Sequence, residues 1–534
     1  MKDYSGLNHI LRQVMCRKFR HFKLRLASAS NLLNVCLFAN GVTAFIITWL
    51  LFRGCTLAKR NIIAVIGVSC LAGLGGCSIE PYRPVPLNSE LSLSEFTERS
   101  LADPVLADFA RQQRRADIAW PPSRWGWQDL SLVGAFYHPD IAVARARQQI
   151  AQSATAAGQH SSIGGGLLLE HHSDTAGKSS IQTSSNTSPW SFGIDVELPA
   201  NGSDRRAART ELYEAQFTAA RSDTAATLWH LQIRILRSFI DLFAARSDIS
   251  LQRDETAALA EIQFMLAKRL EVGGSSATEV AAAQQRRLIG EQALSEAAVR
   301  EEDAFAALAE AIGVTTAALR KFELGFDGLG DLPRIAASSE RLRELALRDH
   351  TDLQRLLADY VAAEAAVKLE VARQYPEFSF KPGYLWDQGD NRWSLAIGWL
   401  APPTFGNQPA IREAEAKRQL AAQQFMARQA TVIAEIEAAT ARQRLTGAAW
   451  TRSQALVMTA LASEVRSRHG YEAGALDRLE LISTRLEKLA AERTALSRHV
   501  AALQAQADLA AALQPKQLVV SPLALEAATT KTNR

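Results

Sequence analysis

Of 534 residues, 47% are apolar but only 7% aromatic, because the apolar content is mostly Ala and Leu; that bias favours long helices over a thick core. The formal charge is +4, yet residues 1–76 hold ten Lys or Arg against Asp3 alone, a local +9, which leaves the chain from Cys77 onward at −5. The basic total is therefore a property of the leader and gives no argument for nucleic acid, which is not expected as a partner. All five cysteines (Cys16, Cys36, Cys55, Cys70 and Cys77) fall in the first 77 residues, so no internal disulfide is available downstream.

In chain order, Asn31 to Phe52 is an apolar stretch of roughly spanning length interrupted by Asn34 and Asn40. A second begins after Lys59-Arg60 and runs from Asn61 into Leu74-Gly75-Gly76-Cys77. A short basic region, a short apolar region and small residues before a cleavage point form a secretory signal. We read residues 1–56 as sequence upstream of a start near Leu57, with a cleaved or retained extra span as the alternative. The Leu-Gly-Gly-Cys ending resembles a bacterial lipobox, which implies a lipidated Cys77 as the first mature residue. Ser78, being other than Asp, then favours release to the outer membrane. That covalent lipid is the one attached group expected, with no cofactor.

The proline-rich Glu80-Pro-Tyr-Arg-Pro-Val-Pro86 suits an extended tether. A Trp-rich segment, Trp120 to Leu130, precedes His138-Pro139-Asp140; Pro139 and Asp140 suit a first helical turn, and a helix to about Gly158 follows. The first strand pattern is weak, with Ile163, Gly165, Leu167 and Leu169 on one side. The second is strong. Trp190, Phe192, Ile194, Val196 and Leu198 alternate with Ser191, Gly193, Asp195 and Glu197, and a two-faced run of this length crosses a bilayer as a tilted strand. It returns about 203 residues later as Trp393-Ser-Leu-Ala-Ile-Gly-Trp399, so one structural unit is stated twice.

After the proline corner Leu198-Pro199, Asp204 to Val272 contains no proline, and Leu228, Ile235, Leu242 and Ile249 recur every seven residues, the spacing of a coiled-coil seam. The helix stops at Val272-Gly273-Gly274, and Ser276-Ala-Thr-Glu279 is a capping box that starts a returning helix, Ala277 to Ile312. In the second copy His350-Thr-Asp352 leads through a helix to Tyr375-Pro376 and the aromatic strand Phe378, Phe380, Tyr384, Trp386. A second long helix turns at Ala473-Gly474, where Asp477-Arg-Leu-Glu480 is expected to cap the returning helix in the same way. The expected divisions are the leader 1–76, a tether and N-terminal segment 77–137, repeat 1 over 138–320 (hairpin about 162–198), a connector 321–349, repeat 2 over 350–513 (hairpin about 377–400), and a tail 514–534.

Two hairpins give four strands, too few to close a barrel, and an open sheet edge in lipid leaves backbone groups unpaired at several kcal/mol each. Several copies must share one barrel: two would make a filled eight-stranded barrel, three a twelve-stranded one with a lumen. In the order and duplication of its lipobox, Trp125 with His138-Pro139-Asp140, paired strands, Leu198-Pro199 and tips Arg269-Leu-Glu-Val-Gly273 and Tyr471-Glu-Ala-Gly474, the chain resembles the TolC-type outer-membrane efflux channels, lipoprotein branch. The resemblance implies an α+β membrane protein: a homotrimer whose twelve-stranded transmembrane β-barrel continues into a long periplasmic α-helical barrel. It further implies outer-membrane lipid, a periplasmic adaptor (membrane-fusion) protein and an inner-membrane pump as partners. The competing reading is a coiled-coil scaffold lipoprotein that forms no pore; four alternating strands argue against it.

The candidate site residues each carry a plainer role beside the functional one. Glu279 and Glu480 are capping residues first; by resemblance, acidic residues just after the second tip glycine form the pore constriction, and Glu480 matches one such position while Ser483 stands at another. Val272, Gly273, Gly274, Ala473 and Gly474 are turn residues and, by resemblance, an adaptor-docking tip. Arg269 is a solvated helix charge or a latch across the tip. His171-His172 lacks the further ligands of a metal site, so no metal is expected. No Walker A loop, His-Glu-x-x-His or Gly-x-Ser-x-Gly occurs, so no catalytic residue and no enzyme activity is expected.

Overall fold

The computed structural model describes residues 82–114, 120–158, 164–171, 190–199, 202–330, 339–387, 390–400 and 407–514. The leader, Cys77 and the tail beyond 514 lie outside the described residues. From Asn88 onward the described chain forms one unit.

Three short helices come first: α1 (Ser89–Thr97), α2 (Pro104–Arg114) and α3 (Trp127–Tyr137). Asn88 caps α1, its side-chain oxygen accepting from the Glu90 amide at 2.9 Å. The first repeat follows as α4 (Pro139–Gly158), β1 (Gly164–His171), β2 (Trp190–Pro199), α5 (Gly202–Glu271) and α6 (Ala277–Ile312). After the single turn α7 (Thr316–Leu319) and helix α8 (Ser339–Asp349), the second repeat runs α9 (Thr351–Ala372), β3 (Glu377–Asp387), β4 (Asp390–Leu400), α10 (Gln408–Glu472) and α11 (Arg478–Leu513).

The 70 residues of α5 and 65 of α10 correspond to rods of roughly 100 Å each. No single face of such a helix is apolar throughout. Instead each pairs with its returning partner, α5 with α6 and α10 with α11, while α4 and α9 both lie along α5 and α9 also along α10. The heptad residues Leu228, Ile235, Leu242 and Ile249 are all buried. Gly313 ends α6 at φ +81°, and the Val314 amide donates back to Ala309 at 3.1 Å, a left-handed stop that favours glycine.

The main core joins α3 to α5, α6 and α11, with Leu130, Leu132, Ile235, Phe239 and Leu308 among its members; burial of such side chains contributes roughly 1.5–3 kcal/mol each. Trp125 sits in it, 1% exposed, and its backbone exchanges hydrogen bonds with the connector: its amide donates to Glu323 at 2.9 Å and its carbonyl accepts from Gly325 at 3.0 Å. The connector is therefore packed structure along this stretch, where the sequence suggested a plain link. Arg99 closes the same region, donating to the Tyr137 and Gly313 carbonyls at 3.0 and 2.8 Å.

The four strands form one antiparallel sheet in the order β1-β2-β3-β4. Register aligns Leu167 with Ile194 and Ile194 with Tyr384, which in turn faces Trp393, so one apolar face runs across both hairpins. It is open: Trp393 is 82% and Trp399 71% exposed, whereas Ser191 on the other face is 1% exposed. An apolar surface this continuous marks a membrane or protein contact. Among the described residues no helix is long and apolar enough to cross a membrane.

Candidate functional site

The two helical tips have the same construction. Gly273 and Gly474 both adopt φ +75°, a conformation that a side chain resists. The Gly274 amide donates to Arg269 at 2.7 Å, and the Ala475 amide to Gly470 at 2.8 Å, closing the last turn of α5 and α10 alike. Nothing lies within 4 Å of where a Cβ would stand at either glycine. Conformation rather than crowding therefore demands glycine there, and the outer surface of both turns, with Val272 83% exposed, is open. Ala473, the C-cap just beyond α10, donates its amide to the His469 carbonyl at 2.9 Å.

Beyond the turns the tips differ. The Ser276 hydroxyl accepts from the Glu279 amide at 3.2 Å and the Glu279 carboxylate accepts from the Ser276 amide at 2.9 Å, a complete capping box. At Asp477 the expected box does not form: Asp477 occupies the N-cap position of α11 but makes no cap hydrogen bond. Its carboxylate instead pairs with the Arg269 guanidinium of α5, a charge-assisted contact. Arg269 holds that carboxyl below the usual carboxylate range, with the nearby Arg478 and Leu479 amides adding to the effect. Glu480, freed of the capping role, is exposed and has neither hydrogen bond nor ion pair among the described residues. Ser483 donates to the Leu479 carbonyl at 2.8 Å. A second cross-tip contact runs from Arg478 Nε to Glu261 of α5 at 2.6 Å. The structure thus joins the tips of the two repeats through two arginine–carboxylate pairs of opposite direction.

Midway along the helices, two further clusters sit at the helix starts marked by His138 and His350. Asp352, nearly buried, receives His230 Nε2 at 2.9 Å and Arg428 Nη2 at 2.9 Å. Burial opposes its charge, but His230 and Arg428 overcome that and hold the carboxyl well below its ordinary range. His350, fully buried, has no hydrogen-bond partner on either ring nitrogen among the described residues, and burial lowers its pKa to about 4. In repeat 1 the counterpart brings Arg234 to Asp140 at 3.5 Å and to the ring of His138 at 3.5 Å; burial lowers the His138 pKa too. In sequence these residues mark helix starts and the repeat. Their arginine partners lie some 75 to 95 residues away in the long helices, where no local pattern distinguishes them.

The polar face of the sheet is paired across strands. Ser191 donates to Asp387 at 2.7 Å and Arg392 bridges the same carboxylate at 3.0 Å. Ser379 and Lys381 reach Glu197 at 2.8 and 3.1 Å. His171 packs edge-on against Trp190 at 4.6 Å; His172 lies outside the described residues. Among the described residues no three His, Cys, Asp or Glu side chains gather as metal ligands.

A half-exposed sheet carried on two antiparallel pairs of very long helices is the fold of the TolC-type outer-membrane efflux channels. In sequence, residues 137–314, the first repeat, match the family described as outer membrane efflux protein. No curated protein matches the chain in sequence. Among solved structures, the CmeC outer membrane channel of Campylobacter jejuni superposes with a TM-score of 0.59 at 13% identity, over 85% of this chain and 98% of that one. The open state of the MtrE outer membrane channel of Neisseria gonorrhoeae gives 0.58 at 15% identity, over 83% and 99%. The outer membrane protein VceC of Vibrio cholerae gives 0.56 at 19% identity, over 74% and 99%. At these identities the likeness establishes the fold.

Proposed function

We propose that three copies of this chain form the outer-membrane channel of a tripartite efflux system, passing small molecules from the periplasm to the exterior. The observation that carries the proposal is the sheet: four strands with one oily face, edges at β1 and β4 that are unpaired among the described residues, and each hairpin followed in the chain by a rod of roughly 100 Å. Backbone at an open edge has no partner in lipid, so β4 of one copy must meet β1 of the next. Three copies give twelve strands and a wet lumen. The chain is a channel and not an enzyme.

The rest of the assignment draws on the tip geometry, on the likeness to outer membrane efflux proteins and, for the anchor, on the Leu74-Gly75-Gly76-Cys77 sequence. The tips, with open glycine turns flanked by Arg269, Val272, Gly273, Gly274, Ala473 and Gly474, are the docking end for a periplasmic adaptor, which connects to an inner-membrane pump that supplies the energy. The unpaired carboxylate of Glu480 is the better gate candidate of the two, since Glu279 is engaged as a cap. A lipidated Cys77 anchors each copy to the outer membrane. The pore-free scaffold reading leaves the apolar sheet face without a purpose. Mass measurement of the detergent-purified protein should return three chains, and planar bilayers should show discrete conductance steps. A monodisperse folded monomer without conductance would overturn the proposal.

A further inference from the structure

On the polar face of the sheet, register stacks Leu168, Gly193, Leu385 and Arg392 in one row across the four strands. Two residues along, about 7 Å, the next row is Gly166, Asp195, Gly383 and Ser394. The following row holds Glu197 and Lys381. Of the two carboxylates in the middle of β2, Glu197 pairs with the Lys381 ammonium and accepts a hydrogen bond from the Ser379 hydroxyl. The side chain of Asp195 has no hydrogen bond or ion pair among the described residues. Asp390, also unpaired, stands at the hairpin end, where solvent alone accounts for it.

Aspartate is depleted from strands, and its setting here is built for it. A Cβ at Gly166 would fall 2.3 Å from an Asp195 carboxylate oxygen, and one at Gly383 would lie 3.6 Å from the Asp195 Cβ. Gly166 thus leaves the room that the Asp195 carboxylate occupies, while at Gly383 a side chain would meet Asp195 only at ordinary contact distance. In the neighbouring row the side chains of Leu168 and Leu385 close over Gly193, within 3.5 and 3.1 Å of its Cβ position. The wet wall therefore carries an apolar pair one pleat from a bare carboxylate.

We propose, building on the trimeric channel of the preceding section, that Asp195 is the cation-selecting residue of the barrel and that Leu168 and Leu385 make it a transit site for organic cations with an apolar body. Three copies place three such carboxylates around one lumen, with six leucines beside them. A cation passing within about one Debye length, roughly 8 Å at physiological salt, feels all three charges incompletely screened, while an anion is repelled by the same field.

The test uses the purified full-length channel in planar bilayers, with two readouts: the reversal potential in a KCl gradient and block by tetraphenylphosphonium. Asp195→Asn, with Asp195→Ser as a second neutral variant should the first not assemble, is expected to lower the K+ over Cl− permeability ratio by about threefold. It should raise the half-blocking tetraphenylphosphonium concentration by a similar factor. Asp195→Glu should preserve both. The pair Leu168→Ser with Leu385→Ser should weaken block and leave the reversal potential in place. Neutral variants that conduct normally with unchanged selectivity and block overturn the assignment, as does selectivity that responds to Glu480→Gln alone. An unmodified protein that never conducts overturns the channel reading itself.

Discussion

The cross-tip pair Arg269–Asp477 yields the sharpest test of how the periplasmic end is held. Its side chains are 38% and 50% exposed, so solvent screens it, and pairs of this kind contribute about 0.2–1 kcal/mol each. Arg269→Ala removes the pair from every copy at once. If opening separates the two tips in all three copies together, the closed arrangement loses roughly 0.6–3 kcal/mol, a shift of about 3- to 150-fold in the closed-to-open ratio. Single-channel recording should show open probability rising by that factor, with unit conductance unchanged. Because Arg269 keeps the Asp477 carboxyl below its ordinary range, the latch should persist down to the pH where ordinary carboxylates have already begun to protonate. The exchanged pair Arg269→Asp with Asp477→Arg should restore much of the closed population. Gating unchanged in Arg269→Ala, with the trimer intact, would refute the latch; so would an exchanged pair that behaves like the single variants.

Three further outcomes follow from other parts of the molecule. His350 has its pKa lowered to about 4 by burial, so as pH falls below about 6.5 the unfolded chain takes up the proton first; stability is full above that range and declines towards pH 4, by at most about 3 kcal/mol per chain. Urea unfolding from pH 7 to 4 should show this slope reduced in His350→Leu, and an unaltered slope removes His350 as its source. Cys77→Ser should abolish incorporation of labelled palmitate, and persistent label would place the anchor elsewhere. Glu480→Gln should weaken divalent-cation block while melting stays unchanged, because Glu480 makes no cap here; lowered stability with unchanged block would restore the capping role and end its candidacy as a gate.

The hairpins were legible because strand alternation is a local signal: Trp190 to Leu198 shows its two faces within nine residues. The seam of α5 was legible because heptad spacing shows up in any window along the helix. Helix α3 escaped for the opposite reason. Leu130, Ser131, Leu132, Val133, Gly134 and Ala135 are buried in succession, so no period separates an inside from an outside. The two caps show how far local reading reaches. Ser276-Ala-Thr-Glu279 and Asp477-Arg-Leu-Glu480 have matching spacing, yet Asp477 is claimed by an arginine 208 residues away, a competitor that only the fold brings near. The same holds for Asp195: its alternation was visible, but Gly166, which makes room for its carboxylate, belongs to another strand.

The open sheet also bears on the life of the protein before assembly. A freshly exported chain carries its aromatic face and two raw strand edges through the watery periplasm with nothing to cover them. Such edges invite pairing with any extended segment they meet, including the same edge on another copy in the wrong register. The helices also expose apolar side chains, Phe264, Ile289, Leu445 and Met458 among them, but their backbone hydrogen bonds are satisfied internally and offer no edge to pair with. The edge-pairing hazard is thus confined to about forty residues of β-structure, and in the proposed assembly those are the ones an escorting chaperone must shield until the copies meet. Overproduction that outruns the escort should yield insoluble material nucleated by the hairpins.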